Sequence, residues 1–270
     1  MGLKDFFFGG GSGSGKSGRK SKIDKLTKRV TNQYAQSTER YGAMEDLLKH
    51  AVDCWDKAVR LPEGGEERLA LEKKADDCYV GVLKRFTVVA SKAIEDEEEK
   101  GWLYRRLTAI GKPMLAPIKR FVVDAEGIAW PLRIVEDVAS EEEEWEILDA
   151  LLEAHPPGYE RDSSPKRQML THLKEIDDPR VRDILARYLV DTDEDIRFFC
   201  TEAMITNGEI ESLEPLIRQL DNDEEESLRL RNRVLDGLSD LGWDLSEYAA
   251  VIRKHLDDDH AFDGTKLTRR

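Results

Sequence analysis

The chain has 270 residues, of which 36% are charged and 40% hydrophobic, and its net charge is −14. That length supplies one extended domain or two ordinary ones, and so high a charged fraction suits thin helical layers with much exposed surface. No apolar run approaches the ~18 residues that a membrane-spanning helix needs.

The charge is unevenly placed. Residues 1–40 hold nine Lys/Arg against three Asp/Glu, a net of +6, which leaves −20 on the remaining 230 residues. An acidic body repels phosphate backbones at long range, so a nucleic-acid partner is not expected. Cys54, Cys78 and Cys200 form no CxxC pair and are odd in number, which predicts reduced thiols in the cytoplasm. The first residues do not read as a signal peptide, because Phe6-Phe7-Phe8 is their only apolar run. Gly2 does not open a myristoylation motif, since position 6 is Phe.

In chain order, the head Met1–Phe8 comes first. Three consecutive phenylalanines are costly to leave in water. Leu3, Phe6 and Phe7 fit the apolar face of one helical turn. Phe6, Phe7 and Phe8 are therefore candidate partner-binding residues. Three readings stand: docking into a partner's groove, folding back onto the chain's own first helices, and weak membrane-surface contact by residues 1–29 aided by Lys16, Arg19 and Lys20.

Residues 9–22, GGGSGSGKSGRKSK, read as a flexible disordered linker. Within them, Gly10 to Ser17 fits the phosphate-loop pattern GxxxxGK[ST]. A phosphate loop must follow a buried strand, and only eight residues precede Gly9, so the linker reading is preferred and no cofactor is expected.

From residue 23 onward helical periodicity is nearly continuous. Ala75, Cys78, Tyr79, Val82, Leu83 and Phe86 share one stripe. Further stripes run through Val181–Leu189, Ile196–Met204, Leu213–Leu220 and Tyr248–Leu256. Gly64-Gly65, Gly111, Pro113, Pro156-Pro157-Gly158, Pro179, Gly208 and Gly242 separate them. The prediction is an all-α chain of about a dozen helices. Lys84-Arg85-Phe86 recurs as Lys119-Arg120-Phe121, 35 residues on. Leu115-x-Pro117-Ile118-x-Arg120 recurs as Leu213-x-Pro215-Leu216-x-Arg218 at an offset of 98, and Ile196-Arg197…Gly208 recurs as Leu230-Arg231…Gly242 at 34. A period of about 30–40 residues with two helices per unit marks an α-solenoid.

On these residues the sequence resembles the HEAT-repeat family of armadillo-type superhelices, in its bacterial form. Asp191-Thr192-Asp193-Glu194-Asp195-Ile196-Arg197, Ala203-Met204 and Gly208 look like the family's acidic turn, aliphatic–Arg pair and closing Gly. Asp177-Asp178-Pro179-Arg180-Val181 resembles the turn that opens a second helix. The resemblance covers about residues 97–256. It implies a right-handed α-α superhelix organised as a head and linker (1–22), an irregular helical cap (23–96), HEAT-like repeats (97–259) and a disordered tail (260–270). It also implies a shallow groove lined by second helices, which makes Arg120, Arg187 and Arg218 candidate partner-binding residues.

Other motifs carry less. Asp191, Asp193, Asp195 and Glu202 match calcium-loop positions, but Ile196 stands where that loop requires Gly. The acidic runs Glu95–Glu99, Glu141–Glu144 and Asp221–Glu226 precede apolar stripes and read as helix caps and dipole compensation. His255 and His260 flank Asp257-Asp258-Asp259 at what reads as a solvated helix end. No metal site or catalytic set stands out. The expected function is a non-catalytic cytoplasmic scaffold or adaptor for a protein partner. The resemblance also brings two rivals, a phycobilin-lyase-like enzyme or chaperone and a DNA glycosylase. The acidic body disfavours the second, and no residue can be named as catalyst for the first.

Overall fold

The structure is a computed structural model that describes residues 21–270. The described residues form thirteen α-helices and one two-stranded hairpin. The helices are α1 (Lys22–Val30), α2 (Ser37–Ala58), α3 (Glu66–Leu83), α4 (Ala93–Ile110), α5 (Leu115–Val122), α6 (Ala129–Val138) and α7 (Glu141–Ala154). They continue as α8 (Ser164–Leu173), α9 (Pro179–Tyr188), α10 (Glu194–Asn207), α11 (Leu213–Leu220), α12 (Leu228–Leu241) and α13 (Ala249–His255). No helix is long and apolar enough to cross a membrane among the described residues.

Packing skips one helix at a time. α4 lies on α6, α6 on α8, α8 on α10 and α10 on α12, while α3 lies on α5, α5 on α7 and α11 on α13. Sequential pairs such as α9–α10 and α11–α12 also touch. Several helices thus cover both a sequence neighbour and the helix two places away. Ile196, Cys200 and Met204 of α10 and Leu230, Val234 and Leu238 of α12 are buried in this way. At the amino-terminal end, α1, α2 and α3 pack mutually.

The recurring motifs occupy equivalent places. α10 and α12 are 34 residues apart at both ends, and α5 and α11 are 98 apart at both ends. Gly208 and Gly242 stop α10 and α12 in the left-handed conformation, with φ of 66° and 62°. Asp178 caps α9 through the Arg180 amide, with Pro179 as the first helical residue.

Five expectations need correction. Residues 260–270 are not a disordered tail: β1 (His260–Phe262) pairs antiparallel with β2 (Leu267–Arg269), and β2 packs on α12. Leu267 is buried there, and Asp263 Oδ1 accepts the Thr265 and Lys266 amides to close the turn. His260 is buried in the same hairpin, with Nδ1 2.7 Å from Asp257 Oδ1, so it is not on a solvated helix end. The boundary drawn after residue 96 falls inside α4, and Ser21 and Lys22 cap and open α1 instead of ending a linker. Finally, Lys84-Arg85-Phe86 forms a tight 3-10 turn beyond α3, whereas Lys119-Arg120-Phe121 lies within α5. Phe86 and Phe121 are buried alike, but Arg85 turns inward and Arg120 outward.

Close helix contacts yield a paired prediction. A Cβ on Gly237 of α12 would lie 2.3 Å from Cδ1 and 2.6 Å from Cγ1 of Ile205 on α10, while a Cβ on Gly42 of α2 meets nothing within 4 Å. Gly237→Ala should lower stability by about 1–2 kcal/mol through overpacking. Gly42→Ala should raise it by about 0.5–1 kcal/mol through helix propensity, both read from urea unfolding midpoints.

Candidate functional site

The surface that the sequence nominated lies between successive odd-numbered helices. A cleft of about 560 Å³ opens between α9 and α11, with Val190, Arg218, Asn222 and Glu224 on its walls. A second, of about 470 Å³, opens between α3 and α5, with Lys84, Arg120, Asp124 and Glu126 on its walls. Arg120 and Arg218 hold the same position on their helices, one turn before the loop that leads to the next even-numbered helix. Both guanidinium groups are engaged: Arg120 donates to Asp77 at 2.9 Å and Arg218 to Glu214 at 2.6 Å. Arg187 is exposed on α9 and lines neither cleft, so the three arginines do not converge on one site. Phe6, Phe7 and Phe8, and the phosphate-loop-like Gly10–Ser17, lie outside the described residues.

Behind this surface, charges fix the helix ends, with Lys166 buried and Arg197 and Arg231 partly buried. Lys166, Arg197 and Arg231 stand in the first turns of α8, α10 and α12, and each reaches back to a carbonyl of the loop before its helix: Gly158, Asp191 and Asn222. Lys166 also pairs with Asp191 at 2.7 Å, and Arg197 with Glu225 at 2.8 Å, carboxylates from the loops that precede α10 and α12. The calcium-loop-like carboxylates are therefore committed elsewhere. Asp191 holds Lys166 and the Gly158 amide, and Asp193 caps α10 and accepts the Ser163 hydroxyl at 2.5 Å.

A denser network joins α2, the turn after α3 and α4. Arg40 Nη2 donates to Glu99 Oε1 at 2.6 Å, Arg85 donates to Glu99 at 2.8 Å and to Asp96 at 2.6 Å, and Lys100 lies 2.6 Å from Asp96. All five groups are buried. Burial alone would push the Glu99 carboxyl up, but hydrogen bonds from Arg40, Ser37 and Arg85 outweigh it and hold the group below the usual carboxylate range. Asp96 behaves likewise under Lys100, the Ala90 amide and Arg85. The sequence reading missed this network because Glu95–Glu99 reads as helix capping and dipole compensation ahead of an apolar stripe. The available signal was that Asp96, Glu99 and Lys100 share the face of Leu103 and Leu107.

The three cysteines are free and buried. Burial, and then the nearby Cys54, push the Cys78 thiol up to about 12, so the thiolate nucleophile is scarce near neutral pH. No protein-family model, curated protein or solved structure matches the chain.

Removing the Glu99 charge strands two buried guanidinium groups. Glu99→Gln should cost about 3–5 kcal/mol at neutral pH. A carboxyl held low stabilises the fold fully above the unfolded carboxylate range of about 4 and loses that contribution as pH falls through its lower folded value. The variant should therefore show a shallower fall in stability on acidification than the parent, measured by urea titration across pH.

Proposed function

We propose that this protein is a HEAT-like helical-repeat scaffold that works by holding a protein partner and not by catalysis. One observation supports this most directly. The same cleft, with an arginine at the same helical position, occurs between α3 and α5 and again between α9 and α11. Stacked helix pairs of a right-handed superhelix would turn such recurring clefts into one extended binding surface. The arginines suit that role because a guanidinium offers several donors on a broad planar group. Free, buried thiols agree with work in the cytoplasm.

The test begins with in-cell crosslinking to identify a partner, followed by calorimetry on the purified pair. Arg120→Glu combined with Arg218→Glu should weaken binding at least about tenfold while leaving the thermal midpoint within a few degrees. Unchanged affinity would remove the cleft surface from the account. A purified chain that turns over a small-molecule substrate would remove the scaffold reading itself.

A further inference from the structure

A different face of the molecule carries an aromatic–arginine groove. Between α2 and α4 lies a cleft of about 370 Å³ with Leu48, Val52, Trp102, Ala109 and Ile110 as its apolar walls. Val52 is exposed, and Trp102 stands edge-on to Tyr41 at 5.0 Å between ring centroids. The Arg106 guanidinium lies 5.5 Å from the Trp102 ring centroid. On the other flank of α4, Arg133 of α6 lies 4.7 Å from the centroid of Trp130 and 5.1 Å from that of Tyr104.

The arginines beside this groove are not spent on carboxylates. Arg120, Arg197, Arg218 and Arg233 each hold a carboxylate. Arg105, Arg106 and Arg133 form an ion pair with none among the described residues. A guanidinium held against a ring leaves its N–H edge open to accept a carboxylate, and its attraction to the ring keeps it in place. The groove's own lining carries Lys49 and Arg106 against Glu45, within a chain that is acidic overall.

We propose that the α2–α4 groove receives a partner segment with an apolar anchor flanked by acidic residues. The inference rests on the protein-binding reading and assigns it a second surface with a stated chemistry. Two parallel walls of Leu, Val, Ile and Trp fit the apolar stripe of an amphipathic helix, and the arginine rim fits carboxylates beside that stripe. The chain's own Phe6–Phe8 segment is the poorer fit, because Lys4, Lys16, Arg19 and Lys20 surround it against a single Asp5.

Display of short randomised peptides tests this, with the full-length chain as bait beside three full-length variants. Arg106→Glu reverses the rim charge, Ala109→Arg fills the groove from an exposed position, and a triple variant replaces Phe6, Phe7 and Phe8 by Ala. The parent should enrich peptides with apolar residues flanked by Asp or Glu. Their affinity, read by fluorescence polarisation, should fall at least about tenfold in each groove variant and stay unchanged in the triple variant. Peptides that bind the groove variants equally well would overturn this site and leave the scaffold reading intact. Failure to enrich any peptide, or enrichment of Lys- and Arg-flanked ones, would overturn the acidic-segment assignment. Tighter binding by the triple variant would make the head the occupant. A dimer in sedimentation that Ala109→Arg dissociates would make it a second copy. Either result overturns the proposal.

Discussion

A cation drawn into the first turn of a helix has to be neutralised, and for Lys166 and Arg197 the neutralising group comes from the loop before the next even-numbered helix. Lys166 meets Asp191, and Arg197 meets Glu225, while each cation also takes a carbonyl from its own preceding loop. Apolar contact between helices is non-directional and tolerates sliding. A buried charge does not, because displacement leaves an unpaired ion at a cost of several kcal/mol. The apolar stripes supply most of the stabilisation, and the charged rungs set the register in which one pair lies on the next.

The Arg40–Glu99–Arg85–Asp96–Lys100 network plays the same part where α2 and the turn after α3 meet α4. At the other end, Arg269 of the hairpin pairs with Asp236 and Asp240 on α12, and Leu267 is buried beneath. Arg120 and Arg218 hold the same helical position 98 residues apart, although Arg120 pairs across to Asp77 of α3 and Arg218 with Glu214 of its own helix.

Much of this was legible in sequence because repetition is a one-dimensional property. Ile196-Arg197 and Leu230-Arg231 announce equivalent first turns, and both arginines reach a carbonyl of the loop before their helix, although Arg197 takes Asp191 and Arg231 the more distant Asn222. Repetition misled at Lys84-Arg85-Phe86, since a 3-10 turn rotates Arg85 into the interior while α5 keeps Arg120 outside. The hairpin was hidden because strands of three residues are too short to show alternation, although Asp263-Gly264 between Phe262 and Leu267 is a recognised turn signal. The burial of Asp96 and Glu99 depends on cations that arrive from residues 40 and 85, a pairing that local composition does not reveal.

Hydrogen exchange on the native full-length chain carrying Asp191→Ala examines the register claim most directly. Asp191 joins Lys166 of α8, the Gly158 loop and the amide of Asp193 ahead of α10. If charged rungs fix how one helix pair sits on the next, protection should fall together in α8 and α10, on both sides of the lost rung, while α2 and α3 keep theirs. Loss confined to the loop around residues 191–193, with both helices protected as before, would show that apolar packing alone holds the register and would contradict the account.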